Sequence, residues 1–384
     1  MKIAIVASDY APTVGGVQTA VRNIAHYAAR QGHDVIILSA LPSGRVPATE
    51  RVDDVMVYRF RWGRRPTWSL PFRAAQSLFL MRQVLIEFKP DLVYIHFLTI
   101  NALYVLMLHY WMGFKFVASA RGNDIQGIPL RSRLSRWMLY RLLHRANAVL
   151  FCSSYVQRAA APFLEGISSQ TYVGVVGDGF EASEFDGAAS RPFEYPAPFL
   201  LGMGRLVEKK GFDMLIDAFG RIADEFPRVH LLIAGDGEER YLLEALIRKL
   251  CLQERIKLLG FTDRKTTIAL FLGCEFFVLS SRIEPFGIVV LEAMAANKAV
   301  LATRSGGVID LVRPGVNGQL VEPNADDLGR GMREMLAHPE TTRLLGEKAA
   351  ETIQNHTWAS VTEQYLAVFG QVLRKPGSSN KSVL

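Results

Sequence analysis

Two glutamates, Glu284 and Glu292, stand with seven residues between them in SSRIEPFGIVVLEAMA, residues 280–295. Pro285 fixes its own φ and suits the first turn of a helix, and Gly287 lets backbone approach a ligand closely. The free N–H groups of a helix start attract an anion. A carboxylate beside such a site would repel a lone phosphate, so it makes sense as a hydrogen-bond acceptor for hydroxyl groups. Two carboxylates then bracket a diphosphate, and each holds a polyol, a sugar on one side and a ribose on the other. A second stretch, GMGRLVEKKGFDMLIDAF (202–219), carries matching cations. Its strand ends at Gly204, Arg205 follows, and Lys210-Gly211 precedes a helix. Ligands of open α/β sheets bind at the carboxyl ends of strands, so Arg205 and Lys210 can meet one polyanion there, where the plainer reading is two surface cations on a loop. A third stretch, SGGVIDLV (305–312), offers either further backbone donors or an ordinary turn.

The elements that must position these residues alternate along the chain. In the first half, KIAIVA (2–7), DVIILS (34–39), VMVYRF (55–60), DLVYIH (91–96), KFVASA (115–120), AVLFC (148–152) and TYVGVV (171–176) read as strands. Most are continuous apolar runs, the pattern of strands buried on both faces. Helical patterns such as VQTAVRNIAHYAARQG (17–32) lie between them, which predicts a parallel sheet. FDGAASRPFEYPAP (185–198) breaks the pattern as a linker. The alternation restarts with PFLLGMG (198–204) and a helix over 211–226, then VHLLIAG (229–235), RIKLLG (255–260), CEFFVLS (274–280), KAVLAT (298–303) and GQLVEP (318–323). The expected domains are 1–185, 198–355, and a helix over 356–374 whose Trp358, Val361, Tyr365, Phe369 and Val372 share one face, with a disordered tail at 375–384.

Composition narrows the class. The 384 residues exceed one ordinary core, and 49% hydrophobic with 21% charged residues mark a globular chain. Cys152, Cys251 and Cys274 lie far apart with no paired spacing, which predicts neither a disulfide framework nor a zinc site. MKIAIVAS reads as a buried strand, not a signal peptide. FLTINALYVLMLHYWMGF (97–114) approaches the length of a membrane span, but Asn101, His109 and the flanking strands favour a buried helix. Residues 1–190 hold 20 Lys+Arg against 13 Asp+Glu, the whole of the net +7, while 191–384 hold 24 of each. That asymmetry predicts an anionic partner for the first half. RFRWGRRPTWSLPFRAAQSLFLMR (59–82) places Arg59, Arg61, Arg64, Arg65, Arg73 and Arg82 among Trp62, Trp68 and Phe72 with no acid, and RSRLSRWMLYRLLHR (131–145) repeats the theme. Cations mixed with large apolar side chains suit an anionic membrane surface, against the plainer reading of a solvated basic face. No nucleic-acid module is recognisable, so no nucleic-acid partner is expected.

The segments GRLVEKKGFDMLIDAF, AGDGEER, LLGF, EPFGIVVLEAMAANKAVLATRSGG and GVNGQLVEP, with SDYAPTVGGVQTAVRNIA near the N-terminus, resemble the retaining nucleotide-sugar glycosyltransferases of glycosyltransferase family 4 over essentially the full chain. The resemblance implies an α/β chain of GT-B architecture: two Rossmann-like, doubly wound parallel-sheet domains facing a central cleft. A C-terminal helix crosses back to the first domain. It also implies roles. Arg205 and Lys210 would bind the donor pyrophosphate and stabilise the leaving nucleoside diphosphate. Glu284 would contact the donor sugar, and backbone at Phe286, Gly287 and Ile288 the sugar and phosphates. Glu292 would hold the ribose, and Gly260 and Phe261 would lie at the base. Gly15 and Gly16 would face the diphosphate and acceptor. Many members carry a His-Gly-x-Asp segment where this chain has Arg121-Gly122-Asn123-Asp124. Arg121 cannot serve as a base and suits phosphate or an acidic sugar, while His96, at a neighbouring strand end, is either a cleft residue or a structural one.

The expected activity is transfer, with retention, of a sugar from a UDP- or GDP-sugar to a glycan or lipid-linked acceptor in envelope or exopolysaccharide-type synthesis. The enzyme would be cytoplasmic, at the inner face of the membrane. No D-x-D-type metal site is read, so no metal and no cofactor beyond the nucleotide-sugar co-substrate are expected. A sugar-nucleotide epimerase or phosphorylase on the same fold, or a non-catalytic nucleotide-sugar-binding protein, are the alternatives. A NAD-dependent dehydrogenase is disfavoured, since TVGGVQ is not G-x-G-x-x-G and DVIILS ends without an acidic ribose ligand.

Overall fold

The computed structural model describes residues 1–12, 15–41, 46–61, 70–127, 132–185 and 193–374. Two compact units result, Met1–Gly177 joined by the segment from Trp358, and Asp178–Thr357. The division falls at Gly177, ahead of the composition change at 185. Phe180 donates its N–H to His356 O, and Glu184 pairs with Arg264, so 178–185 is bound into the second unit.

The first unit's strands are β1 (Lys2–Ala7), β2 (Asp34–Ala40), β3 (Thr49–Val52), β4 (Val55–Phe60), β5 (Leu92–His96), β6 (Lys115–Ala120), β7 (Ala148–Phe151) and β8 (Tyr172–Val175). They form one sheet in the order β3-β4-β2-β1-β5-β6-β7-β8. All neighbours are parallel except β3 with β4. The apolar runs become the central strands because both faces are covered, as in Ile3, Ile5, Val93, Tyr94 and Val117, all buried. Strand β3, TERV, was not expected. It alternates exposed and half-buried residues at the sheet edge and is joined to β4 through Asp53 and Asp54, both at positive φ. A tight hairpin turn fixes it, not an apolar run.

The helix Gly16–Arg30 and the C-terminal helix Trp358–Arg374 share one core with the sheet. Trp358, Val361, Tyr365, Phe369 and Val372 are buried in it beside Ile24, Ala28 and Tyr94. Each large side chain so buried contributes on the order of 2 kcal/mol. The apolar stretch at 97–114 forms the helix Ile100–Met112, and among the described residues no helix is long and apolar enough to cross a membrane. Nor is this helix buried all round: Tyr104, Val105 and Leu108 face the core, whereas Met107, Tyr110 and Trp111 are exposed. Asn101 is its N-terminal anchor, accepting from the Thr99 N–H and hydroxyl, and His109 Nδ1 lies 2.8 Å from Phe114 O.

The basic segments divide. Arg59 is no surface cation: its guanidinium is buried, pairs with Glu50, and donates to Pro47 O and Ala11 O. Phe72, Arg73, Phe79 and Arg82 are exposed on the helix Leu70–Phe88. Arg133, Arg136, Trp137, Arg141 and Arg145 are exposed on the helix Arg133–Arg145. Trp62, Arg64, Arg65, Trp68, Arg131 and the tail 375–384 lie outside the described residues.

The second unit is a parallel sheet in the order β11-β10-β9-β12-β13-β14. Its strands are β9 (Phe199–Met203), β10 (His230–Ala234), β11 (Ile256–Gly260), β12 (Phe277–Leu279), β13 (Val300–Thr303) and β14 (Gly318–Val321). Strands β9 and β12 adjoin at its middle although far apart in sequence, which brings GMGR and SSRIEPFG to one end.

Candidate active site

The turn after β9 is built by backbone fit. Gly204 adopts φ 153 and donates to Ala234 O, and Leu206 N–H donates to Asp236 O. A Cβ at Gly235 would stand 1.9 Å from Gly204 O, and one at Gly237 would stand 2.3 Å from Leu206 O. The glycines of AGDGEER therefore let the end of β10 lie against this turn. Arg205 emerges exposed. Lys209 and Lys210 follow in a short 3-10 turn, Glu208–Lys210, that ends at Gly211 with φ 64. This turn is docked on the end of β12. Ser280 Oγ donates to Lys210 O at 3.0 Å, and Arg282 bridges Glu208 O and the Asp213 carboxylate at 2.6–2.8 Å. Burial, then Arg205 and Lys210, depress the pKa of Lys209. Three cations thus crowd one strand end.

Glu284 lies opposite. Its Oε2 is 2.5 Å from Lys210 Nζ and accepts from Ser281 Oγ at 3.2 Å. Gly287, at φ 102, caps the helix Ile288–Ala295 with no side-chain bond to its N–H groups, and a Cβ there would touch Glu284 Cγ at 3.5 Å. Phe286 is buried beneath the turn. The glycine pair of SGGVIDLV serves Glu284's backbone. Gly307 donates to Glu284 O at 2.7 Å, and a Cβ at Gly306 would meet the same oxygen at 2.1 Å. Below, Thr303 and Ser305 hydroxyls both donate to Ser281 O at 2.6 Å.

Glu292 sits on the same helix, buried, and its Oε1 is 2.5 Å from an Arg264 nitrogen. Burial raises its pKa, and Arg264 opposes the rise. Arg264 also donates from Nε to Glu184 at 2.9 Å. Gly260, at φ 75, ends β11 and accepts from Gly235 N–H, with Phe261 exposed beyond it. Such an assembly has paired cations, an open helix N-terminus and two buried carboxylates. It is suited to a polyanion flanked by hydroxyl groups.

The residues expected on the acceptor side belong to the first unit. Gly15 caps and Gly16 begins the helix Gly16–Arg30, which follows β1. His96 lies in the core. It is fully buried, its Nδ1 lies 2.8 Å from Tyr94 Oη, and burial followed by the nearby Arg121 hold its pKa well below the usual range. Arg121 is likewise turned inward and donates to Tyr365 Oη at 3.2 Å. Asp124 is a tie for two loops. It accepts from the N–H groups of Leu98, Arg121 and Gly122 at 2.8–3.0 Å. All three side chains are thus buried among the strand ends, and Arg121 meets the C-terminal helix at Tyr365.

Burial pushes the Asp124 carboxyl up to about 6, against the pull of those N–H groups and of Arg121. The folded chain then retains a proton that the unfolded chain releases between about pH 4 and 6, so stability falls as pH rises through that window. Relative to Asp124→Asn, the wild-type chain should lose about 2 kcal/mol between pH 4 and 7, at about 1.4 kcal/mol per pKa unit. Denaturant melts of both proteins across that range measure it, and parallel curves would show an ordinary carboxyl.

Comparison with known proteins decides the family. Residues 15–166 match the model of the glycosyl transferase 4-like domain, and residues 189–352 match that of glycosyl transferases group 1. The chain belongs to the family 4-type glycosyltransferases. This glycosyltransferase is 26% identical to an uncharacterized glycosyltransferase of Methanocaldococcus jannaschii, over 96% of this chain and 98% of that one. Its fold resembles sucrose-phosphate synthase from Thermosynechococcus elongatus, with TM-score 0.83 and 20% identity over 97% and 98% of the two chains. It also resembles the Anabaena protein HepE in complex with UDP and glucose, with TM-score 0.78 and 22% identity over 97% and 100%. Two parallel-sheet units with these neighbours are consistent with the GT-B architecture.

Of the residues singled out in the glycosyltransferase sequence, Gly204, Lys210, Glu284 and Gly287 converge directly. Sequence reasoning missed Lys209, Arg264 and Arg282. Lys209 stood in the quoted stretch, where the Lys-Lys pair was the signal. Arg264 and Arg282 act on partners 28 and 69 positions away, a pairing that no local pattern announces. Among the described residues no group of three or more His, Cys, Asp or Glu side chains is placed to hold a metal ion.

Proposed function

We propose that the glycosyltransferase moves a sugar from a UDP- or GDP-sugar to a glycan or lipid-linked hydroxyl, with retention and without a metal. The contact of Lys210 with Glu284 carries this reading, because it sets a cation for the diphosphate against a carboxylate for the sugar hydroxyls. As the bond between the anomeric carbon and the phosphate oxygen breaks, the electron pair stays with the diphosphate. Arg205, Lys210 and the helix start at Gly287 stabilise that charge. The acceptor oxygen bonds to the carbon on the face just vacated, and its proton passes to the departing phosphate. Glu292, held by Arg264, takes the ribose, and the backbone at Gly260 and Phe261 takes the base. The cations stand in a metal's place. The exposed arginines and rings of Leu70–Phe88 and Arg133–Arg145 support work at an anionic membrane surface.

Calorimetric titration with UDP, GDP, ADP and NAD tests the donor class, beside Arg205→Ala. One nucleoside diphosphate should bind, and Arg205→Ala should weaken it at least tenfold. Binding of NAD alone, or of none, would defeat the reading. Release of nucleoside diphosphate without acceptor, together with an altered donor sugar, would favour an epimerase.

A further inference from the structure

Within the first unit, the helix Arg133–Arg145 forms one wall of a groove of about 780 Å³. That size falls in the range of small-molecule sites. Arg133, Arg136, Trp137 and Tyr140 line it, at the spacing that puts side chains on one face of a helix. Pro162 and Phe163 also line it, with Ile125, almost fully buried, and Gln126. Among the described residues no acidic side chain lines it. Neither Arg133 nor Arg136 forms an ion pair among the described residues. Two like charges three residues apart on one helix face repel weakly, and an anion between them relieves that repulsion.

The chemistry of the walls selects among anions. A nucleotide or free sugar would need acceptors for its hydroxyl groups, and the groove offers few beyond Gln126 and Tyr140. Its remaining surface is aromatic and aliphatic, suited to a hydrocarbon chain. The outer rim continues that character. Arg141 lies 5.5 Å over the Trp137 ring, and Arg145 lies 5.3 Å over Tyr110 of the helix Ile100–Met112, next to exposed Trp111 and Leu134. Ile125 and Gln126 belong to the turn Asn123–Gln126, just past the carboxyl end of β6, where open sheets bind their ligands.

We propose that this groove binds a single lipid phosphate, with the phosphate on Arg133 and Arg136 and the chain between Trp137 and Phe163. The inference rests on the transferase reading only in making this lipid the carrier of the accepting hydroxyl, and so names the acceptor class. The test is calorimetric titration of the full chain with octyl phosphate below its micelle concentration, beside octyl glucoside and inorganic phosphate. Octyl phosphate should bind, at least tenfold tighter than either comparison compound. Arg133→Gln/Arg136→Gln should lose that margin over octyl glucoside. Trp137→Ala should lose the gain of octyl over ethyl phosphate. Circular dichroism melts of the same variants should match the wild type, which shows that they are folded, and UDP or GDP titration should be unchanged. Equal binding of octyl glucoside would leave an apolar groove without a phosphate site and overturn the proposal. Equal binding of inorganic phosphate would leave an anion site without a chain, and overturn it too. Octyl phosphate binding without any nucleoside diphosphate binding would sustain the groove while the donor reading fails. The reverse result would sink the groove alone.

Discussion

Replacing Lys210 by alanine is expected to lower kcat by about 10²–10³-fold, the loss seen when one preset charge-stabilising donor is removed from a transition state. The side chain is committed in the free protein as well. Its Nζ lies 2.5 Å from Glu284, and the two side chains are only 17% and 9% exposed. Removal therefore strands a carboxylate whose remaining side-chain partner is Ser281. Breaking one side of a buried pair costs about 3–5 kcal/mol. Partial exposure of Lys210 lowers that to about 2–3 kcal/mol. The two effects separate in a double variant. Adding Glu284→Gln to Lys210→Ala removes the stranded charge and should restore most of the stability while restoring none of the turnover. Denaturant melts and turnover with the bound nucleotide's sugar donor read the two quantities. Full turnover in Lys210→Ala would remove Lys210 from the mechanism, and joint recovery of both quantities would reduce the pair to a structural tie.

Gly306→Ala should be the more damaging of two matched substitutions. Gly306 and Gly315 share the same left-handed backbone, at φ 75 and 73. Either alanine bears the cost of that conformation, about 1–2 kcal/mol. Their surroundings differ. A Cβ at Gly315 meets nothing within 4 Å, whereas at Gly306 it would stand 2.1 Å from Glu284 O. That contact cannot be relieved by a side-chain rotation, so the backbone holding Glu284 must move, and with it the Gly307 N–H bond to the same oxygen. Gly315→Ala is expected to retain near-normal kcat with a small loss of stability. Gly306→Ala should lose roughly 100-fold in kcat, since a misplacement of about 1 Å costs that much. Equal kinetics in the two variants would show that the turn does not position Glu284.

Much of this glycosyltransferase was legible before any coordinates. Continuous apolar runs such as KFVASA and KAVLAT mark strands buried on both faces, because only such strands lack the polar alternation of a wet sheet. Gly287 caps Ile288–Ala295 as its backbone freedom suggests, whereas Pro285, suited to a first turn, stands in the bend ahead of the helix. The types and spacing of Arg205, Lys210, Glu284 and Glu292 were therefore enough to raise the proposal of a site for a polyanion with hydroxyl neighbours.

Tertiary structure decided what depends on distant partners. TERV became a strand only because Asp53-Asp54 folds it onto β4. His96 and Arg121 carry functional side chains at strand ends, yet Tyr94 and Tyr365 hold them inside, and Tyr365 arrives from the far end of the chain. Glu292 is clamped by Arg264, and Glu284 is seated by Gly306, through contacts that no window of sequence contains. The sequence by itself determined which residues could do chemistry and which segments were strands, since both follow from residue type and local period. Only the packed fold decided which of those side chains face a ligand and which are spent holding the fold together, because burial and pairing belong to neighbours in space.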